Sequence, residues 1–274
     1  MTDLKAALTK AVDELHKLGG ELPPALAERA AKVGLTIKGR DPREPGLRKK
    51  NRMERRMQEL LTRRLQKQLA ALREHLTAMN PDRKALSAGG IIIQTDDIDA
   101  ELLLLFVQAI REGIGIFDET IPLDVDFSSA NLRALEYARE YVTKWLQGLD
   151  ETSANAVREA VQNFIDNPGT TIRDTIELLA PTFGETRAER IAVTEITRAY
   201  AEGNQLAAVD MAEQWPGVKV TKRWFTNNDD LVCPICGPLE GKEVDYNEDF
   251  GDGIENPPAH VNCRCWTSTG TVIE

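Results

Sequence analysis

All four cysteines of the chain fall near its C-terminal end, in a spacing that suits a metal site. The 274-residue sequence contains only four cysteines and three histidines. Five of these side chains lie within residues 233–265, as Cys-x2-Cys, 23 residues, then His-x2-Cys-x-Cys: Cys233, Cys236, His260, Cys263 and Cys265. Thiolates and imidazole nitrogens are ligands that zinc prefers, and a Cys-x2-Cys turn directs two sulfurs to one point. The spacing therefore predicts one zinc ion per chain.

A tetrahedral zinc site takes four ligands, and this cluster offers five. We expect Cys233, Cys236 and His260 to bind the ion with one more cysteine, most simply Cys265, which leaves Cys263 as a free or neighbouring thiol. Disulfide bonds are the alternative, because the cysteines are even in number and would pair in an oxidising environment. The adjacent histidine favours metal, and a cysteine-rich shell favours a structural ion over a catalytic one.

Other residue patterns give little support for catalysis. Three carboxylates near the cysteines, Asp229, Asp230 and Glu240, are candidate general bases. They would suit a zinc-dependent nuclease, hydrolase or toxin, which is the alternative to a structural role. The chain has 44 acidic side chains, however, so their proximity is weak evidence. His16 and His75 have no accompanying motif, and nucleophile-elbow, phosphate-loop and H-E-x-x-H signatures are absent from the sequence. We predict no enzymatic activity and no small-molecule substrate.

The charge of the chain is distributed unevenly. The formal net charge is −10, but residues 1–90 carry +9 and residues 91–274 carry −19. This asymmetry indicates different partners for the two parts, with an anionic partner for the first, although solvated helix faces would give the same pattern. The longest apolar run, residues 102–107, is too short to span a bilayer, and the first twenty residues suit an amphipathic helix better than a secretory signal. We expect cytoplasmic synthesis and no membrane partner.

Hydrophobic periodicity predicts helices from the start of the chain to about residue 215. The first two are predicted at residues 2–20 and 23–32, and a linker rich in proline and glycine follows to residue 46. A long helix is predicted over residues 47–79, with a narrow apolar stripe and a wide basic surface. We predict that this surface contacts a protein partner or DNA phosphates through Arg52, Arg55, Arg56, Arg63, Arg64 and Lys67.

The rest of the sequence predicts an α+β fold. Its N-terminal and central regions are mostly helical, and its small C-terminal domain contains β-structure and is held together by zinc. A helix is expected near residues 97–112, followed by a flexible connection to residue 127. Later helices are expected at 128–148 with Ser128 as the cap, and at 153–166, 171–180 and 185–215. Alternation then predicts a strand at 218–226 and a paired strand within 241–246. This gives three regions, 1–90, 91–127 and 128–274.

Three segments of the chain resemble the phage Mu F-like head morphogenesis family, also called minor head or minor capsid proteins. They are RAERIAVTEITRAYAEG at 187–203, KRWFTNNDDLVCPICGPLEGKEV at 222–244 and PPAHVNCRCW at 257–266. Their order and spelling match a helix with an R-A-x-x-I-A-x-T-E pattern, a tryptophan strand, a C-x-x-C turn followed by L-x-G, and a P-P-x-H-x-N-C-R-C ending. The resemblance covers about residues 128–270.

This resemblance implies a structural component of a tailed-phage head, present in few copies. It implies assembly in the cytoplasm of the bacterial host and a final place in the virion, at the capsid interior or the portal vertex. The partners it implies are the portal protein and the capsid interior, with packaged DNA as a further candidate.

The first resembling segment places four polar residues on one helical face: Arg187, Thr194, Glu195 and Arg198. We expect Glu195 to form a partly buried ion pair with an arginine, which would fix the helix against the tryptophan strand. The alternative is an exposed salt bridge that contributes little to stability. Trp224 alternates in register with Val218 and Val220, so we expect it in the core rather than at a ligand.

Overall fold

A computed structural model describes residues 46–78, 96–120, 125–167, 169–227, 229 and 231–273. The predicted helices at 2–20 and 23–32, the linker after them, His16 and Asp230 lie outside these described residues. The described part forms five α-helices: α1 (Leu47–Ala78), α2 (Asp96–Thr120), α3 (Ser128–Asp166), α4 (Ile172–Leu179) and α5 (Glu185–Gln214).

A small antiparallel sheet follows the helices. Its strands are β1 (Val218–Phe225), β2 (Glu243–Asp245) and β3 (Trp266–Ile273). The central strand β1 pairs with β2 on one side and with β3 on the other, where Val218 opposes Ile273 and Phe225 opposes Trp266. The predicted α+β class is confirmed, as is the placement of the first cysteine pair between two paired strands. The third strand was not predicted from the sequence.

Two predicted helix boundaries are wrong. Residues 113–120, expected to be a flexible connection, continue α2, since Ile114 and Phe117 are buried in the helical core. The expected break between residues 148 and 153 is absent, because α3 runs on through it with Leu149 and Ser153 buried. The Ser153 hydroxyl donates to the Leu149 carbonyl oxygen at 2.9 Å, so this serine is satisfied inside the helix rather than acting as a cap.

The start of α3 also differs from the prediction. Phe127 occupies the N-cap position, and Ser128 is the first helical residue. The Ser128 backbone N–H and hydroxyl both donate to the Asp126 carboxylate, at 2.9 and 2.6 Å. By contrast, α4 begins close to the predicted position, and Thr171 caps it in a reciprocal capping box with Asp174.

Helix α5 is central to the helical layer and packs against α1, α2 and α3. The described parts of all three predicted regions therefore share one hydrophobic core. None of the described helices combines the length and apolar character needed to cross a membrane. The helices α2 and α5 lie in close backbone contact at Gly113 and Gly203, where an added Cβ on either glycine would overlap backbone atoms of the other helix.

This contact gives a test of the helix packing. Gly113→Ala is expected to destabilise the protein by about 2 kcal/mol or more, because the new methyl group would push α2 away from the Tyr200 carbonyl oxygen on α5. Gly115→Ala is the matched control on the same helix, since a Cβ there meets open space and alanine favours the helix by about 0.5–1 kcal/mol. Urea denaturation of both variants makes the comparison, and equal stabilities would contradict the packing.

A second, smaller core lies beneath the sheet. Its six buried members are Trp224, Cys236, Leu239, Phe250, Cys263 and Cys265, so half of it is cysteine. The Trp224 ring packs edge-on against Phe250, with ring centroids 5.2 Å apart. A core this small buries little apolar surface, which leaves a large role for other interactions in holding the C-terminal loops.

Candidate metal centre

The first cysteine pair lies in a tight turn between β1 and β2. The Cys236 backbone N–H points at the Cys233 sulfur, at 3.3 Å, and the Gly237 N–H donates to the Cys233 carbonyl oxygen at 2.9 Å. A short 3-10 turn, Gly237–Leu239, follows at once. These backbone contacts fix the sulfurs of Cys233 and Cys236 on the same side of the turn, as the Cys-x2-Cys spacing predicts.

The second cluster lies in the loop before β3. This loop turns sharply at Asn262, which has a positive φ of 62°, and the Cys263 N–H donates to the His260 carbonyl oxygen at 3.2 Å. The Asn262 N–H also donates to the Thr194 hydroxyl of α5 at 2.8 Å. The loop is therefore anchored on the helix that carries the first resembling segment.

The two loops bring all five predicted ligands together. The His260 Nε2 lies 3.0 Å from the Cys233 sulfur and 3.2 Å from the Cys236 sulfur, and the sulfurs of Cys236 and Cys263 are 3.8 Å apart. The ligand atoms of Cys236, Cys263 and Cys265 lie within 4.8 Å of one another. Zinc–sulfur bonds of about 2.3 Å place tetrahedral sulfurs about 3.8 Å apart, so the cluster has the dimensions of a metal site.

The histidine is oriented to act as a ligand. Its Nδ1 lies 2.8 Å from the Val261 carbonyl oxygen, a distance at which an Nδ1–H donates to that oxygen. The proton on Nδ1 leaves a lone pair on Nε2, which faces the two cysteine sulfurs. All four cysteines are free thiols in the structure, so the disulfide alternative receives no support from these residues.

The thiols are too close together to ionise independently. Burial, with the neighbouring Cys263 thiolate, raises the pKa of Cys236 to about 12. A hydrogen bond with the Cys265 thiol lowers the pKa of Cys263 to about 5, and the same pair raises the pKa of Cys265 well above its ordinary value. The Cys263 thiolate thus opposes ionisation of its neighbours, and a second thiolate beside it would need a cation to balance the charge. The donor chemistry and the spacing therefore both fit a bound metal ion.

The polar face predicted on α5 makes one contact with α3 and one with the loop that carries His260 and Cys263. The Arg187 guanidinium donates to the Ser153 hydroxyl at 3.0 Å and to the Thr182 carbonyl oxygen at 2.7 Å. Thr194 donates its hydroxyl proton to the Arg190 carbonyl oxygen at 2.7 Å and accepts from Asn262. Arg187 and Thr194 thus position the helix and the loop rather than each other.

The predicted ion pair of Glu195 exists, but it faces α3 and not the tryptophan strand. The Glu195 carboxylate is 8% exposed, lies 3.4 Å from the Arg198 guanidinium and accepts a hydrogen bond of 2.8 Å from the Tyr141 hydroxyl. Burial raises its pKa above the ordinary value despite Arg198. Trp224 is fully buried, as predicted, but it packs with the cysteines while Val220 belongs to the helical core.

The basic surface of α1 contains fewer residues in the structure than the sequence predicted. Arg64 is 1% exposed and does not lie on it, because its guanidinium donates to the carboxylates of Asp99 and Asp150, both at 2.7 Å. Arg56 and Arg63 are exposed but share Glu101 of α2, at 2.9 and 3.4 Å. Exposed positions also include Arg52, Arg55 and Lys67.

The described carboxylates near the cysteines have structural partners. Glu240 accepts hydrogen bonds from the Thr226 backbone N–H at 2.6 Å and from its hydroxyl at 2.5 Å. Asp229 lies 2.9 Å from the Arg264 guanidinium and accepts from the Leu231 N–H at 3.1 Å. Because both carboxylates are held by neighbouring backbone and side-chain groups, neither is favoured as a general base.

Sequence reasoning missed two lysines that hold the long loop between β2 and Pro257. Lys222 is buried and donates to the Glu255 carbonyl oxygen at 2.8 Å, and Lys242 donates to the Phe250 carbonyl oxygen at 2.5 Å. A signal for Lys222 was available, because strand alternation places it on the same face as Val220 and Trp224. No motif marks Lys242.

A cavity of about 360 Å³ lies between α5 and this loop, lined in part by Arg198, Glu202 and Glu255. Burial, with the nearby Glu255 carboxylate, raises the pKa of Glu202 from 4.5 to about 7. A carboxyl group whose pKa is higher in the folded state binds more protons there than in the unfolded chain. Its contribution to stability is therefore lost as the pH rises from about 4.5 to about 7.

Glu202→Gln is accordingly expected to leave stability unchanged near pH 4.5 and to raise it by about 1–2 kcal/mol at pH 8, since glutamine mimics the protonated side chain. Urea denaturation of the variant and the parent protein at both pH values measures the difference. Glu189→Gln, at an exposed position of the same helix, is the control. An equal effect of Glu202→Gln at pH 4.5 and pH 8 would contradict the raised pKa.

Comparison with known proteins identifies a family for the segment that carries this site. The sequence model of the family described as "Phage Mu protein F like protein" matches residues 154–268, which include the C-terminal third of α3, all of α4 and α5, and every predicted metal ligand. No curated protein and no solved structure matches the chain. The match to this segment confirms the resemblance seen in the sequence and supports a phage head morphogenesis protein.

Proposed function

We propose that this chain, whose residues 154–268 match the family described as "Phage Mu protein F like protein", is a minor head protein associated with the portal and the capsid interior. The family match is the observation that carries the proposal. The described site agrees with a structural role, since its cysteine-rich donor set is closed by protein ligands and its nearby carboxylates bind local backbone and side-chain groups.

The metal in this proposal is zinc, and its role is to join the two loops of the C-terminal sheet. Three soft sulfur donors and one imidazole nitrogen suit zinc, and the contacts that link them measure 3.0, 3.2 and 3.8 Å. We propose Cys263 rather than Cys265 as the fourth ligand, because the sulfurs of Cys263 and Cys236 are 3.8 Å apart, the edge expected of a zinc tetrahedron. The free energy of zinc binding then adds to the stability of a domain with a small core.

Assembly of heads from the proteins encoded beside this chain tests the proposed role. The chain, the portal protein and the major head protein are produced together, and heads are purified with and without the portal. We expect the chain in heads that contain a portal, in few copies, and a marked reduction when the portal is omitted. Equal amounts in both kinds of head would contradict the portal association, and absence from heads would contradict the function.

DNA contact is a second candidate role, favoured by the exposed arginines on α1. Replacing Arg52 and Arg55 with glutamine is expected to weaken binding to duplex DNA and to reduce the slope of log affinity against log salt by about 2, since two phosphate contacts are lost. Fluorescence anisotropy over a salt series measures both effects. Arg173→Gln, an exposed substitution on α4, is the control. Affinity that does not depend on salt would contradict DNA contact.

A further inference from the structure

Three exposed apolar side chains lie on the two loops that the metal cluster joins. Leu231 is 75% exposed, Ile235 is 51% exposed and Val261 is 67% exposed. Among the described residues, seven large apolar side chains are exposed in this way, and these two short loops carry three of them. Single exposed apolar side chains are common on protein surfaces, whereas a cluster of them is typical of an interaction surface.

The metal cluster holds these side chains in fixed positions. Ile235 lies between Cys233 and Cys236, and Val261 follows His260 directly. Because the Cys233 sulfur and the His260 Nε2 are only 3.0 Å apart, the turn with Leu231 and Ile235 is tied to the loop with Val261. Ordering of a surface before binding reduces the entropy lost when a partner docks.

The charge around this surface selects the class of partner. Residues 229–262 contain nine acidic side chains and a single lysine, a net charge of −8. Arg264, which follows this segment in the sequence, is paired with Asp229 at 2.9 Å. An acidic surround repels DNA phosphates and anionic lipid headgroups, whereas it attracts a protein surface that carries lysine and arginine.

We propose that Leu231, Ile235 and Val261 form a docking surface, the apolar tip, for a protein partner whose apolar cleft is bordered by lysine and arginine. The metal cluster shapes the apolar tip, and the acidic residues around it steer the partner. This inference rests on the proposed function in taking the partner to be another protein of the phage head.

Photo-crosslinking from the apolar tip tests the proposal in the full-length chain. A photoreactive phenylalanine derivative is introduced in place of Ile235, or of Val261 in a second protein, and heads assembled with the other head proteins are irradiated. We expect crosslinks to a basic segment of a different head protein. Crosslinks to a second copy of this chain, crosslinks to DNA, or no crosslinks from either position in heads that contain the chain would overturn the proposal.

Polar substitution provides a quantitative test with a matched control. The triple variant Leu231→Gln, Ile235→Gln, Val261→Thr is expected to enter heads at least about tenfold less than the parent chain, because three apolar side chains no longer bury on docking. The control variant changes three other exposed leucines, Leu104, Leu132 and Leu178, to glutamine and is expected to enter normally.

The two proposals fail in different ways. If the parent chain itself does not enter heads, the proposed function fails. If the parent chain enters heads and the apolar-tip variant enters equally well, only the docking surface fails. Metal content and thermal unfolding of the purified variant show whether its loops remain folded. If the loops are unfolded, the crosslinking experiment alone decides whether the apolar tip is a docking surface.

Discussion

Cys236→Ser is expected to abolish zinc binding and to unfold the C-terminal sheet region. The Cys236 sulfur is buried and contacts both the His260 ring and the Cys263 sulfur, so it belongs to each of the two ligand groups in the described part of the chain. Structural zinc contributes on the order of 10 kcal/mol of binding free energy in small zinc domains. We expect the C-terminal sheet region to lose about 5 kcal/mol or more of stability. The helical layer is expected to stay folded, because it has its own core.

Three measurements check this result. Elemental analysis of the parent protein is expected to give one zinc per chain, and a chelator is expected to expose thiols and to disturb the near-ultraviolet circular dichroism of the buried Trp224. Helical circular dichroism is expected to change much less, because α1 to α5 pack in a separate core. A parent protein without metal that unfolds at the same temperature with and without chelator would contradict a zinc-dependent domain.

The remaining cysteines supply matched controls for the ligand assignment. Cys263→Ser is expected to lose zinc as Cys236→Ser does, whereas Cys265→Ser is expected to retain one zinc per chain with a smaller loss of stability from its buried thiol. The reverse pattern would identify Cys265 as the fourth ligand, which is the choice that sequence spacing alone favoured.

The sequence predicted which cysteine and histidine side chains come together, because the information is local. Cys233 and Cys236 share one turn, and Cys263 follows His260 by three residues, so spacing alone places each pair. The contact between the two loops could not be derived in this way. It depends on the hydrogen bond from Asn262 to Thr194, and a threonine in a helix gives no sign in the sequence that it accepts a distant backbone N–H.

Helix ends were predicted less well, because tertiary packing overrode local signals. The glycines and the acidic residues of 113–120 favour a loop, yet burial of Ile114 and Phe117 keeps the segment helical. Strand β3 was missed for a related reason. Its WTSTGTVI sequence has a glycine in the middle and little apolar alternation, and it forms a strand because β1 offers an edge along its full length.

Arg64 shows how a sequence pattern can hide a buried charge. It lies in a run of basic residues on α1, beside the exposed Arg63, and its charge grouped it with them although position 64, seven residues after Met57, lies on the apolar stripe. In the structure its guanidinium links Asp99 of α2 to Asp150 of α3, and Gln68 donates to the same Asp150 carboxylate at 2.9 Å. Burial opposes the charge of Arg64, but hydrogen bonds with Asp150 and Asp99 raise its pKa overall. One side chain therefore joins three helices.

Arg64→Met is expected to destabilise the protein by about 3 kcal/mol, because it leaves two carboxylates facing each other without their cation. Arg63→Met, one residue away, removes an exposed pair with Glu101 and is expected to cost less than about 0.5 kcal/mol. Urea denaturation followed by helical circular dichroism compares the two variants. If Arg64→Met were as stable as Arg63→Met, the carboxylates of Asp99 and Asp150 would have to be solvated well enough to need no partner, and Arg64 would return to the set of surface arginines available to a partner.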